Sequence, residues 1–150
     1  MKEARRVTRT ILEAMPYIDG YCEGITKFNH TRAINSYYGT QDTLALMEKI
    51  IEKSYQVQQL HNLKIKTEKQ LGTLKPQYGK ALTLFFLKAQ KAPAIAKEMG
   101  IAERTIFRYI EKGLEEFAEN IDAVIPPLVF RQLLANNGLI RSLYMEQRDS

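Results

Sequence analysis

The sequence predicts an all-α chain: a long helix, then two short helices folded on a tight turn, with further helices flanking them. Three observations carry this. Apolar residues recur at spacings of three and four over most of the chain, and no stretch alternates with the period of a strand. Some thirty residues from Gln41 to Leu71 contain neither proline nor glycine, which suits one uninterrupted helix. The stretch APAIAKEMGIAERTIFRYIE, Ala92 to Glu111, interrupts a helical pattern at a glycine and resumes it at once.

Taken in order, Lys2 to about Gly24 reads as a helix, because Val7, Ile11, Leu12, Met15 and Ile18 share one face. Pro16 should kink or restart it, since proline lacks a backbone donor and clashes with the preceding turn. Asn29 to Thr40 is poorly patterned and reads as a loop with one helical turn near Thr31–Tyr37, anchored by Tyr37 and Tyr38. Thr40 or Asp42 then caps the long helix from Gln41 to Leu71, on which Leu46, Ile50, Val57, Leu60 and Leu71 lie near one stripe. Lys53 and Lys64 interrupt that stripe, so it is not a clean coiled-coil seam. A helix of this length needs a packing partner: the N-terminal helix, a second copy of the chain, or both.

Gly72 ends the long helix and Pro76 opens the next, Gln77 to Gln90, with Ala81, Leu82, Leu84, Phe85 and Leu87 inside. Two helices follow, from about Pro93 to Met99 and from Glu103 to Asn120. Pro126 and Pro127 end that unit, and helices over Pro127–Asn136 and Leu139–Gln147 meet at Gly138. This gives three parts: an N-terminal helical and oligomerisation region (1–71), a helix-turn-helix domain (72–122) and a C-terminal helical extension (123–150).

The helix-turn-helix rests on particular residues. Ala96 is small where two helices must cross closely. Gly100 follows four residues later, where the turn needs a positive φ that a Cβ resists. Ile95, Met99 and Ile101 fill the inner face, and Ile106 with Tyr109 or Ile110 returns to it. The same spacing occurs in ordinary helical hairpins, so charge is the second argument. The chain carries a net charge of +5. From Asn62 to Lys91 there are seven lysines and one acid, a local charge of +6, while Glu111 to Asp122 carries −4. A basic band therefore leads into the motif, where phosphates would be neutralised.

With those residues laid out, Leu71 to Phe117 resembles region four of bacterial sigma factors. The lead Leu71-Gly72-Thr73-Leu74-Lys75-Pro76 is similar to the family's Leu-x-x-Leu-x-Pro, the next helix is YGKALTLFFLKA, and the motif ends in IAERTIFRYIEKGLEEF. Two positions depart from the pattern. Ala94 stands where an acidic residue is usual, and Ala102 replaces the serine that caps the recognition helix. The missing cap costs about 1 kcal/mol of helix stability unless another group substitutes. The wider layout resembles the small sigma-like late-gene regulators of phages and mobile elements. No counterpart of the aromatic promoter-melting helix is present, so a complete sigma factor is not expected. The resemblance implies a double-stranded DNA partner, and RNA polymerase as a further one.

In a helix-turn-helix the start of the second helix points at base edges. That places Ala102, Glu103, Arg104, Phe107, Arg108 and Glu111 toward the groove, with Thr105 and Ile106 nearer the packing. Arg104 and Arg108, one turn apart, suit a guanine edge or a phosphate. Glu103 either accepts from a cytosine amino group or complements the helix N-terminus, and the second role is the commoner. Phe107 either meets a thymine methyl or packs on the N-terminal segment. Lys75, Lys80, Lys88, Lys91, Lys97 and Lys112 are the phosphate candidates.

Other chemistries find no pattern, so neither an enzyme nor a cofactor is expected. His30 and His61 lie near no carboxylate pair, and Cys22 with His30 lacks zinc-ligand spacing. The glycines of GYCEG lack the lysine and hydroxyl of a phosphate loop. No apolar run reaches membrane-spanning length, and the N-terminus lacks a signal peptide's apolar core. The single Cys22 suits a reducing cytoplasm. The leading expectation is a cytoplasmic, oligomeric, sequence-specific transcriptional regulator. A phage small-terminase-like packaging component and a protein-binding adaptor are the alternatives.

Overall fold

The computed structural model describes residues 2–38 and 43–147, and among them the only regular structure is helical. The helices are α1 (Lys2–Tyr38), α2 (Thr43–Leu71), α3 (Pro76–Leu82), α4 (Ala92–Met99), α5 (Glu103–Glu119), α6 (Ile121–Val124), α7 (Pro127–Asn136) and α8 (Gly138–Glu146). The chain forms two compact units, Met1–Pro16 with Ile65–Ser150, and Tyr17–Lys64.

Two expectations about α1 are corrected. The helix is continuous through Pro16, so of the kink or restart expected there the restart does not occur, and residues 29–38 extend it past the expected end near Gly24 instead of forming a loop. Pro16 is exposed while Met15 and Ile18 are buried on either side, so burial holds the helix where the ring removes one donor. The boundary between the compact units falls at this proline. The Asn29 amide donates to the Ile50 carbonyl at 3.4 Å and to Ser54 Oγ at 3.2 Å, tertiary bonds that no local pattern encodes. The expected cap at Thr40 or Asp42, the helix start at Gln41 and the anchoring by Tyr37 and Tyr38 lie outside the described residues and side chains. Within Tyr17–Lys64, Lys64 Nζ donates to Asp19 at 2.7 Å. That hydrogen bond, and then the lysine charge, hold the Asp19 carboxyl below its ordinary range.

The other unit is built on α3, α4 and α5. Leu71 and Leu74 are buried and Pro76 occupies the first turn of α3, as the Leu-x-x-Leu-x-Pro lead requires. The expected helix to Gln90 stops earlier. After Leu82 the chain makes a wider π-type turn over Thr83–Leu87, closed by Lys88 N–H donating to the Thr83 carbonyl at 3.0 Å. Ala89 then takes a φ of 54°. This turn ends the helix and sends the chain into α4. Against α3 and α4 lie Ile106, Ile110, Leu114 and Phe117 of α5, all buried.

The N-terminal half of α1 is clamped by α8. Arg6 stacks on the Tyr144 ring at 3.6 Å and donates to the Tyr144 carbonyl at 2.9 Å, while the Tyr144 hydroxyl donates to Glu3 at 2.6 Å. The Gln147 amide donates to Glu13. Burial raises the Tyr144 hydroxyl above its ordinary pKa, and the bond to Glu3 adds to this. Asn137 caps α8, its side chain accepting from the Ile140 N–H at 3.1 Å.

Candidate nucleic-acid interface

The turn between α4 and α5 has the predicted geometry. Gly100 adopts φ 70° and ψ 31°, the left-handed conformation that ends α4. The N–H groups of Gly100 and Ile101 both donate to the carbonyl of Ala96, which fastens the turn to the last turns of α4. Ala102 then opens α5 with extended backbone and no side-chain cap, so the missing serine has no substitute from its own position. Ile95 of α4 and Ile106 of α5 are fully buried and join the two helices at the inner face.

Opposite that face, α5 presents Glu103, Arg104, Phe107, Arg108 and Glu111 to solvent. Residues 104, 107, 108 and 111 fall at the i, i+3, i+4, i+7 spacing of one helical face. Phe107 is 51% exposed, which removes the expectation that it packs on the N-terminal segment. Arg104 has no ion-pair partner among the described residues. Arg108 lies 6.0 Å over the ring of Tyr109, which itself tilts against Tyr78 of α3 at 5.6 Å. Tyr109 is therefore half-buried and Ile110 buried, so both candidates for the inner position contribute to packing.

The lysines separate into groups. Lys88 closes the π-type turn and Lys91 begins α4, both exposed at the entry to the motif. Lys80 is exposed on α3 and Lys97 on α4. Lys75 and Lys112 share a groove with Tyr78, Glu115, Glu116, Glu119 and Asn120, and the Lys75 N–H donates to Glu116 at 3.1 Å. Three carboxylates thus accompany these two lysines, and their local field is less favourable to a phosphate than that around Lys88 and Lys91.

One residue of this surface was missed in the sequence. Arg5, on the first turn of α1, forms an ion pair with Glu111 on the outer face of α5. The basic run Arg5-Arg6-Val7-Thr8-Arg9 was the available signal, but a separation of about a hundred residues gave no reason to connect it with α5.

Two helices joined by a left-handed glycine, with a basic, aromatic face on the second, define the helix-turn-helix class. Residues 65–117 match the family model described as Sigma-70, region 4, so this stretch carries a sigma-factor-like, DNA-binding helix-turn-helix. No curated protein and no solved structure gave a match to the chain. Among the described residues, no His, Cys, Asp and Glu side chains cluster as a metal site would require. No described helix is long and apolar enough to cross a membrane.

Proposed function

We propose that this chain is a sequence-specific double-stranded DNA-binding transcriptional regulator of the sigma-like kind found in phages and mobile elements. It is a cytoplasmic protein without enzymatic activity, and its α5 lies in the major groove. The observation that carries this is the outer face of α5, where Arg104, Phe107 and Arg108 stand exposed on a helix whose other face is fully packed. Arg104 and Arg108 read base edges; Lys88, Lys91, Lys97 and Lys80 hold phosphates; Lys75 and Lys112 contribute less because of the carboxylates beside them. Glu103 complements the N-terminus of α5. In this reading 72–122 holds the DNA contacts, 1–71 supports self-association and 123–150 is a helical extension. RNA polymerase is a second partner, consistent with the family match.

The test is selection of bound duplexes from a random pool. An enriched motif is expected, and Arg104→Ala or Arg108→Ala should cost roughly 1–3 kcal/mol and relax one position of it. Unchanged enrichment in both variants would remove these residues from base reading. Failure to bind any duplex at low ionic strength would point to a protein-binding adaptor, because phosphate neutralisation must respond to salt.

A further inference from the structure

We infer that Arg5 is a further DNA-contacting residue, carried to the flank of α5 by the first helix and exchanging its carboxylate partner for a backbone phosphate. The inference rests on the DNA-binding reading of α5 and names a contact outside the helix-turn-helix. Glu111, the partner of Arg5, lies one turn beyond Arg108 and two turns beyond Arg104 on the exposed side of α5, so the Arg5 guanidinium sits beside the proposed reading face. A recognition helix in the major groove has phosphate-lined walls on both flanks, and a cation beside the helix axis meets the backbone there, not a base.

The position of Arg5 is prepared in advance. The adjacent Arg6 is stacked on Tyr144 and bonded to its carbonyl, Glu3 accepts from the Tyr144 hydroxyl, and Val7 is buried. Neighbouring side chains thus hold the first two turns of α1 to α8, while the Arg5 side chain itself remains 40% exposed and that of Glu111 53% exposed. An ion pair this open to water is weak, so a phosphate competes for the guanidinium at little cost. Once Arg5 has moved to phosphate, the Glu111 carboxylate is left facing a polyanion. The two partners of one ion pair therefore have opposite effects on binding.

That opposition is the test. A fluorescein-labelled mixed-sequence duplex is titrated with the full chain and with Arg5→Ala, Glu111→Gln, the double variant and Arg104→Ala, at several salt concentrations. Thermal melts check that each variant is folded. Arg5→Ala is expected to weaken binding severalfold and to reduce the salt slope by about one, whereas Glu111→Gln tightens it. The Arg5→Ala loss should persist in the Glu111→Gln background. A structural brace would weaken binding equally on loss of either partner. Action only through Glu111 would make the Arg5→Ala effect vanish in the double variant. Either result overturns the inference, as does an unchanged Arg5→Ala affinity beside a weakened Arg104→Ala. A native chain that binds no duplex at any salt removes the DNA-binding reading itself, and this inference with it.

Discussion

At Gly100 the backbone sets the requirement and the surroundings add nothing. A Cβ built there would meet no atom within 4 Å, so steric crowding by neighbours is not the constraint. The φ of 70° is. Gly100→Ala is therefore expected to lose about 1 kcal/mol of stability from backbone strain alone, read as a lower denaturant midpoint with an unchanged slope. No loss would mean that α4 can end in another conformation. Asp19 gives a residue-scale prediction of another kind. Its carboxyl is held below the ordinary range by the hydrogen bond and charge of Lys64. A depressed folded pKa makes the pair's contribution present above the unfolded pKa and lost as pH falls through the folded one. In Lys64→Ala the Asp19 titration, followed by carboxyl NMR shifts, should move up toward that of an ordinary aspartate. An unmoved titration would assign the shift to another group.

Among the elements, α3 shows how a position silent in the sequence becomes decisive in packing. Gly79 reads as an unfavourable residue inside a helix, yet a Cβ there would stand 2.7 Å from the Leu71 carbonyl oxygen. Gly79→Ala should raise helix propensity and still lower the melting temperature, at a net cost on the order of 1–3 kcal/mol, because backbone must move to admit the methyl. A variant melting at or above the native temperature would show that the α2–α3 corner yields freely. The legible parts of the fold were those written locally. The turn at Gly100, the buried Ile95, Ile106 and Ile110, the proline at the head of α3 and the limits of α5 all follow from spacing and backbone chemistry. Residues 29–38 were not legible, because the bonds from Asn29 to Ile50 and Ser54 join segments some twenty residues apart. The π-type turn at Thr83–Leu87 was hidden for a related reason: TLFFL is as apolar as any buried helix, and its wider winding leaves no periodic mark over five residues. On the outer side of α5, the exposure of Arg104 and Arg108 was legible from motif register, whereas the acidic company of Lys75 and Lys112 and the pairing of Arg5 with Glu111 needed the tertiary structure.

For the whole molecule the open quantity is affinity. One recognition helix offers three or four side chains to base edges, too few for a unique site, and linking two copies converts the second contact into an intramolecular one. Within Tyr17–Lys64, α2 carries Met47, Ile51 and Tyr55 exposed by 52, 65 and 57%. Their spacing of four places them along one side of the helix, separate from the buried Leu46, Gln56 and Leu60. A monomer gains nothing by leaving three such side chains in water, and a second copy is the partner we propose for this face. Sedimentation equilibrium at micromolar concentration should therefore give a mass of two chains. Met47→Glu with Ile51→Glu should halve it, and should weaken binding to a duplex with two half-sites far more than binding to a single half-site. The comparison matters because the substituted residues lie outside α5: if both duplexes lose affinity equally, the substitutions have damaged the fold, and if neither does, α2 is not the joining surface. A ring of many copies would instead favour the packaging alternative, in which the same helix serves assembly and not cooperative site recognition.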